Sequence, residues 1–214
     1  MRQLELLAPA RDAQIGIAAI DCGADAVYIA GPQFGARQAA GNQVDDIRRL
    51  CEYAHRFGVR IFVTLNTILY DDELEAAYRQ MLAVQEAGAD AIIVQDLAIV
   101  EMARNGIGNM KEDLHIPLHA STQCAIRTPE QATYLESLGF SRLILERELS
   151  LEQIRKYARL SAVNWNSLFM ALSVYATADS ATFQKKSQAE APTEEHVSRH
   201  VAQDMIWSTP LARS

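Results

Sequence analysis

GADAVYIAG at residues 23–31 and GADAIIVQD at residues 88–96 open with the same four residues and continue into an apolar run. Each copy closes a helical pattern. Gly stops the helix, because it adopts left-handed backbone without steric cost, and the apolar run starts a short strand. A helix, a Gly stop and a buried strand, repeated, read as βα units of a parallel sheet.

Working outward from these copies, the pattern predicts strands over residues 4–8 (stopped by Pro9), 26–30, 60–65, 91–94, 117–120 and 142–145. Helices are predicted over residues 12–22, 44–57, 71–87, 97–104 and 129–138, and SLEQ at residues 150–153 reads as a capping box opening another. The strands are continuous apolar runs rather than alternating ones, as expected of parallel strands covered on both faces. A doubly wound open sheet would want a Gly-rich phosphate loop after the first strand, and APARDAQIG is not one. The reading is therefore an α/β fold: an incomplete TIM-type (β/α) barrel of about six of its eight βα units, followed by an irregular tail. The predicted division is a partial barrel over residues 1–163 and the tail over residues 164–214.

The 214 residues are 49% apolar, enough for one substantial core. A formal net charge of -7 argues against general nucleic-acid affinity through bulk charge. Cys22, Cys51 and Cys124 are scattered without paired spacing, which fits a reducing, cytoplasmic setting. The N-terminus does not read as a signal peptide, and no run of about eighteen apolar residues is present, so no membrane span is expected.

Barrel enzymes place their chemistry at the C-terminal ends of the strands. Three residues there are candidate catalytic groups. Asn66 can hydrogen-bond a substrate carbonyl, or cap a loop. His119, in LHASTQC, can exchange a proton near neutral pH, or serve as a structural histidine; Gln123 accompanies it. Four residues are candidate substrate-binding groups. Arg37 is a candidate anion clamp or an exposed loop charge. Asp96 can orient a substrate, or cap the helix that follows. Arg147 can clamp a carboxylate or phosphate, or join Glu148 and Glu146 in a local ion network. Cys124 lies five residues from His119, but a thiol nucleophile needs its base in hydrogen-bond reach, and burial as a small apolar residue is the competing reading. His196 and His200 have the spacing of a helical metal pair. No metal site is expected, since that spacing falls in the tail.

LELLAPARDA, GADAVYIAGPQFGAR, IFVTLNTILYDDEL, GADAIIVQD, LHASTQC and LILERELSLEQI, in this order, resemble the collagenase-like peptidase family U-32. The likeness runs from Leu4 to about Val163. It is strongest to members that hydroxylate a cytidine of ribosomal RNA. The resemblance implies an α/β barrel, an RNA (rRNA or tRNA) partner, a small-molecule hydroxyl donor such as prephenate, and an iron–sulfur cluster in the full-length family. Other members carry the label peptidase or collagenase, so proteolysis is the alternative activity, and a non-catalytic remnant is a third reading.

The resemblance also implies a cluster-ligand segment, HGALC and three further cysteines, from about Asn164 onward. The chain instead reads NWNSLFMALSVYATADSATF. Taking the third base of each codon with the first two of the next forces Leu at Asn164-Trp165, Glu at Trp165-Asn166 and Gly at Met170-Ala171. The remaining positions permit LELFVHGALCVCYSGQCYF, with cysteines at the family's spacing. Residues 164–214 therefore read as a frameshifted tail, and this chain as truncated and without the cofactor. Without strands seven and eight, open sheet edges favour self-association. Sequencing the gene tests the tail: a one-base change near codon 163 should restore HGALC, and the reading fails if no frame encodes it.

Overall fold

The structure is a computed structural model, and it describes residues 5–36, 42–146, 149–150 and 152–154. The two Gly-Ala-Asp-Ala copies do the same work in it. Gly23 and Gly88 have φ of +96° and +89°. Each lets the chain reverse so that Ala24 N–H reaches the Ala19 carbonyl and Ala89 N–H reaches the Val84 carbonyl. The Asp then ties the new strand to the one before it: Asp25 Oδ2 accepts from Leu6 N–H, and Asp90 Oδ2 accepts from Ile61 N–H, both at 2.7 Å. The second Ala begins the strand and packs inside the barrel, fully buried at Ala26 and Ala91.

The elements follow in strict alternation: β1 Leu7–Ala10, α1 Ala13–Asp21, β2 Ala26–Ala30, α2 Val44–His55, β3 Arg60–Leu65, α3 Leu74–Glu86, β4 Ala91–Val94, α4 Ala98–Asn105, β5 Leu118–Ala120, α5 Pro129–Ser137 and β6 Arg142–Leu143. All six strands are parallel, in the order β1-β2-β3-β4-β5-β6. A doubly wound sheet reverses its strand order at a switch point. This sheet never does, which makes it six units of a barrel. Among the described residues β1 pairs only with β2, and β6 only with β5.

Many element ends differ from the sequence reading by one or two residues, and two of the differences have a clear physical cause. The first strand runs through Pro9 rather than stopping at it. The Leu6 carbonyl accepts from Ala26 N–H on the β2 side. Alternation then turns Pro9 toward the other edge, where its missing N–H breaks no bond in this sheet. The helix expected over residues 71–87 begins with a separate 3-10 turn at Asp71–Glu73, closed by Glu73 N–H on the Tyr70 carbonyl. The capping box at residues 150–153 forms, Ser150 and Gln153 each accepting from the other's backbone N–H. The expected boundary at residue 163 lies outside the described residues.

The continuous apolar strands resolve into two faces. Val27, Ile29, Ile61, Val63, Leu65, Ile92 and Val94 point outward and pack against the helices through Ile47, Leu50, Met81 and Val84. Leu7, Ala26, Phe62, Ala91, Ile93 and Ile144 pack together as a second cluster inside the barrel. This inner face also carries charge. Arg142 on β6 makes a two-pronged bond to Glu5, just before β1, at 2.7 and 3.1 Å. Both side chains are about 95% buried, with 5% and 4% exposed. Arg60, half exposed, bonds the same carboxylate, and the Arg142 guanidinium lies 4.9 Å from the centre of the Phe62 ring.

Removing one member of a buried pair strands the other. Arg142→Met is expected to cost about 3 kcal/mol, and adding Glu5→Leu to return most of it, since Arg60 can turn to solvent. Urea unfolding of both variants measures this; a double variant no more stable than the single one would contradict it.

Candidate functional site

The loops at the C-terminal ends of the strands form a chain of ties, each loop bonded to the one before it. Asn42, ahead of α2, donates its amide to the carbonyls of Arg11 and Ala30, both at 3.1 Å. Asn66 Oδ1, after β3, accepts from Ala36 N–H at 3.1 Å, and Thr67 bonds the Phe34 carbonyl. Asp96, after β4, accepts from Leu69 N–H at 2.9 Å and from Ala98 N–H at 2.8 Å. Cys124, after β5, directs its thiol to the carbonyls of Val94 and Gln95 at 3.6 Å. Glu146 N–H, after β6, reaches the Ile126 carbonyl at 3.4 Å. Neighbouring strands are in register, so a short polar side chain at one strand end reaches backbone at the adjacent one.

This arrangement places four of the seven candidate residues. Asn66 takes the capping role through its oxygen, and its amide N–H groups have no partner among the described residues. Asp96 has both oxygens on backbone N–H groups, one opening α4 and one fastening the preceding loop. Gln123 is exposed on the 3-10 turn Thr122–Cys124, whose start is held by Gln123 N–H on Ser121 Oγ at 3.2 Å. His119 lies inside the barrel, 5% exposed, edge-on to Phe62 at 4.8 Å and beside Arg142 in the ladder. Its Nδ1 is buried without a partner. Burial, with the charges of Arg142 and Arg60, pulls its pKa from 6.5 to about 3. His119 is therefore a neutral imidazole at physiological pH, able to donate or accept a hydrogen bond but not to carry a proton as an acid. Arg37, Arg147 and Glu148 lie outside the described residues, as do His196 and His200.

Cys124 and His119 are not joined. The thiol is held by two carbonyls, and burial pushes its pKa up to about 11. Cys51 sits in the outer core, pushed to about 12 by burial and the charge of Asp90. Cys22 is exposed. Among the described residues no three His, Cys, Asp or Glu side chains come together as metal ligands.

Gln80 is a functional position that the sequence pattern does not single out. It is buried on α3 and bonds both backbone groups of Gln33, so it braces the loop after β2. A Cβ at Gly31 would come within 2.6 Å of the Gln80 amide, which is why Gly follows the strand. The available signal was a polar residue on the apolar stripe of Ala77, Met81 and Val84. Glu5, Arg60 and Arg142 were likewise visible as lone charges beside apolar runs.

The model of the family described as "Peptidase family U32" matches residues 11–180, from just after β1 through β2 to β6 and into the stretch read as out of frame. The chain is 54% identical over 153 residues to the 23S rRNA 5-hydroxycytidine C2501 synthase of Escherichia coli, covering 72% of this chain and 22% of that protein. It is 31% identical over 153 residues to tRNA hydroxylation protein P1 of Bacillus subtilis, covering 71% and 35%. It is 31% identical over 157 residues to a collagenase of Porphyromonas gingivalis, covering 72% and 36%. The chain thus spans between about a fifth and about a third of the length of these relatives. Among solved structures, the U32 peptidase Mk0906 superposes with a TM-score of 0.61 at 15% identity, over 84% of this chain and 79% of that one. The CutC protein of Streptococcus agalactiae gives 0.56 at 17%, over 73% and 84%. At these identities the likeness is one of fold. No described helix is long and apolar enough to cross a membrane.

His119 links stability to pH. The unfolded chain binds a proton there near pH 6.5, whereas the folded chain does not until about 3. Between these values the unfolded state holds more protons, so stability falls as pH drops, by up to about 1.4 kcal/mol per pH unit. His119→Gln is expected to flatten this part of the profile. Denaturant midpoints at several pH values between neutral and mildly acid measure it, and an unchanged slope would show that the ring is already protonated or solvated.

Proposed function

The chain belongs to peptidase family U32, and from that premise we propose that it is the barrel portion of an RNA base hydroxylase whose substrate is a cytidine of ribosomal RNA. The observation that carries this is the 54% identity to the 5-hydroxycytidine synthase over 72% of the chain. The tRNA hydroxylation proteins match over the same share at lower identity, which supports hydroxylation of a base as the reaction class. The collagenase name among the relatives keeps proteolysis as a second reading. Against it stands the state of Cys124, protonated, bonded to carbonyls and apart from His119.

In the proposed site the base approaches the C-terminal ends of the strands. Asn66 offers its free amide N–H groups to a base or donor carbonyl. Gln123 offers an exposed amide on the neighbouring rim. Neutral His119 supplies a hydrogen bond from within the barrel, and Asp96 holds the rim in shape. Arg37, Arg147 and Glu148 are proposed as the groups that receive the phosphate or carboxylate of RNA or of a small hydroxyl donor such as prephenate. We place the reaction in the cytoplasm.

An iron–sulfur cluster does not fit the cysteines present. Cys51 is a buried thiol on α2 and Cys124 a half-buried one after β5, both held protonated, Cys22 is exposed at the end of α1, and a cluster wants four converging thiolates. We therefore propose that the chain as it stands is a truncated, inactive member whose tail is out of frame, and that the edges of β1 and β6, unpaired among the described residues, favour self-association. Anaerobic iron–sulfide reconstitution is expected to leave no stoichiometric absorbance near about 400 nm. The frame-restored chain should gain cluster ligands and, in cells, raise 5-hydroxycytidine in ribosomal RNA measured by mass spectrometry. A cluster on the unaltered chain would overturn the truncation reading, and casein cleavage that survives purification would favour the peptidase.

A further inference from the structure

Three large apolar side chains stand exposed on the site face: Ile68 at 67%, Tyr70 at 74% and Leu97 at 42%. One carboxylate ties together the two backbone segments that carry them. Asp96 accepts from Leu69 N–H with one oxygen and from Ala98 N–H with the other, so Ile68 and Tyr70 flank one bond and Leu97 precedes the other. The loop is anchored from below, since the Leu69 side chain packs on the core. It is closed by Tyr70 N–H on Glu73 Oε2 and Glu73 N–H on the Tyr70 carbonyl, each 2.9 Å. An exposed apolar cluster on a fixed loop has already lost the entropy that binding would otherwise cost.

The charge around the cluster selects the partner. Residues 61–78 and 80–103 contain no Lys, Arg or His. Asp71 and Asp72 are exposed beside Tyr70 and have no ion pair among the described residues, whereas Glu75 is paired with Arg79. The arginines described on this face, Arg11 and Arg127, lie on the loops after β1 and β5 and are paired there with Asp12 and Glu146. A phosphate backbone approaching Tyr70 would meet uncompensated carboxylates. A Lys- or Arg-rich segment with an apolar side chain would bury that side chain between Tyr70, Ile68 and Leu97 and set its charges on Asp71, Asp72 and the Tyr70 ring.

We propose that Ile68, Tyr70 and Leu97, with Asp71 and Asp72 beside them on the loops after β3 and β4, form a docking surface for a cationic, apolar-anchored polypeptide segment. The proposal does not depend on the hydroxylase reading.

The test uses the whole chain and a fluorescent twelve-residue peptide of alternating Lys and Leu, followed by anisotropy. Tyr70→Ser/Leu97→Ser removes the anchors from exposed positions and should leave the melting temperature unchanged while weakening binding about tenfold. Asp71→Asn/Asp72→Asn should weaken it about fivefold and reduce its salt dependence. Glu52→Gln/Glu86→Gln removes the same charge from helix surfaces and should change little. Equal binding by all three variants would place the peptide elsewhere and overturn the proposal. So would tight binding of a twelve-nucleotide oligouridine that is lost in Tyr70→Ser/Leu97→Ser, which would make the rim a nucleic-acid surface.

Discussion

Glu5 and Arg142 meet inside the barrel across 137 positions of chain. Their contact can form only if six strands have already been laid side by side with the sheet curled inward. Each charge alone would be costly in an apolar interior, so the curvature that joins them and the burial that isolates them support each other. The rest of the inner face is arranged around the pair. Phe62 supplies a ring for the guanidinium, and His119 is edge-on to the same ring and kept neutral by burial and the nearby arginines. Ala26 and Ala91 leave room at the base of the strands.

The same economy governs both ends of the sheet. At the N-terminal end, Asp25 and Asp90 each take up a backbone N–H at the start of the preceding strand, Leu6 and Ile61. At the C-terminal end, Asn66, Asp96 and Cys124 each reach back to the preceding loop. A parallel sheet built in sequence order puts the start of every unit beside the start of the last one, so one short polar side chain per unit suffices. The site face is therefore a set of fixed loops, with arginine on the loops after β1 and β5 and acidic and apolar residues on those after β3 and β4.

Much of this was legible in the residues. The six strands and their helices follow from apolar runs and Gly stops, and the repeat of Gly-Ala-Asp-Ala marks two turns of one design. In the sequence Pro9 reads as a strand stop, whereas only the sheet shows that its nitrogen faces away from β2. Asn66 and Asp96 were recognisable as strand-end polar residues, but their bonding partners lie 30 and 27 positions away. Gln80 does not stand out, because a glutamine in a helix is ordinary until its neighbours are known to be buried.

The chain by itself determined the kind of unit, its number and its order, because helix stops and strand propensities act over a few residues. It also determined the chemistry present at each strand end. The tertiary structure alone decided which face of each apolar strand looks inward, which carboxylates are consumed by backbone, and that His119 is neutral. Those properties depend on what surrounds a group after distant segments meet, and solvation, unlike helix propensity, is not a local quantity.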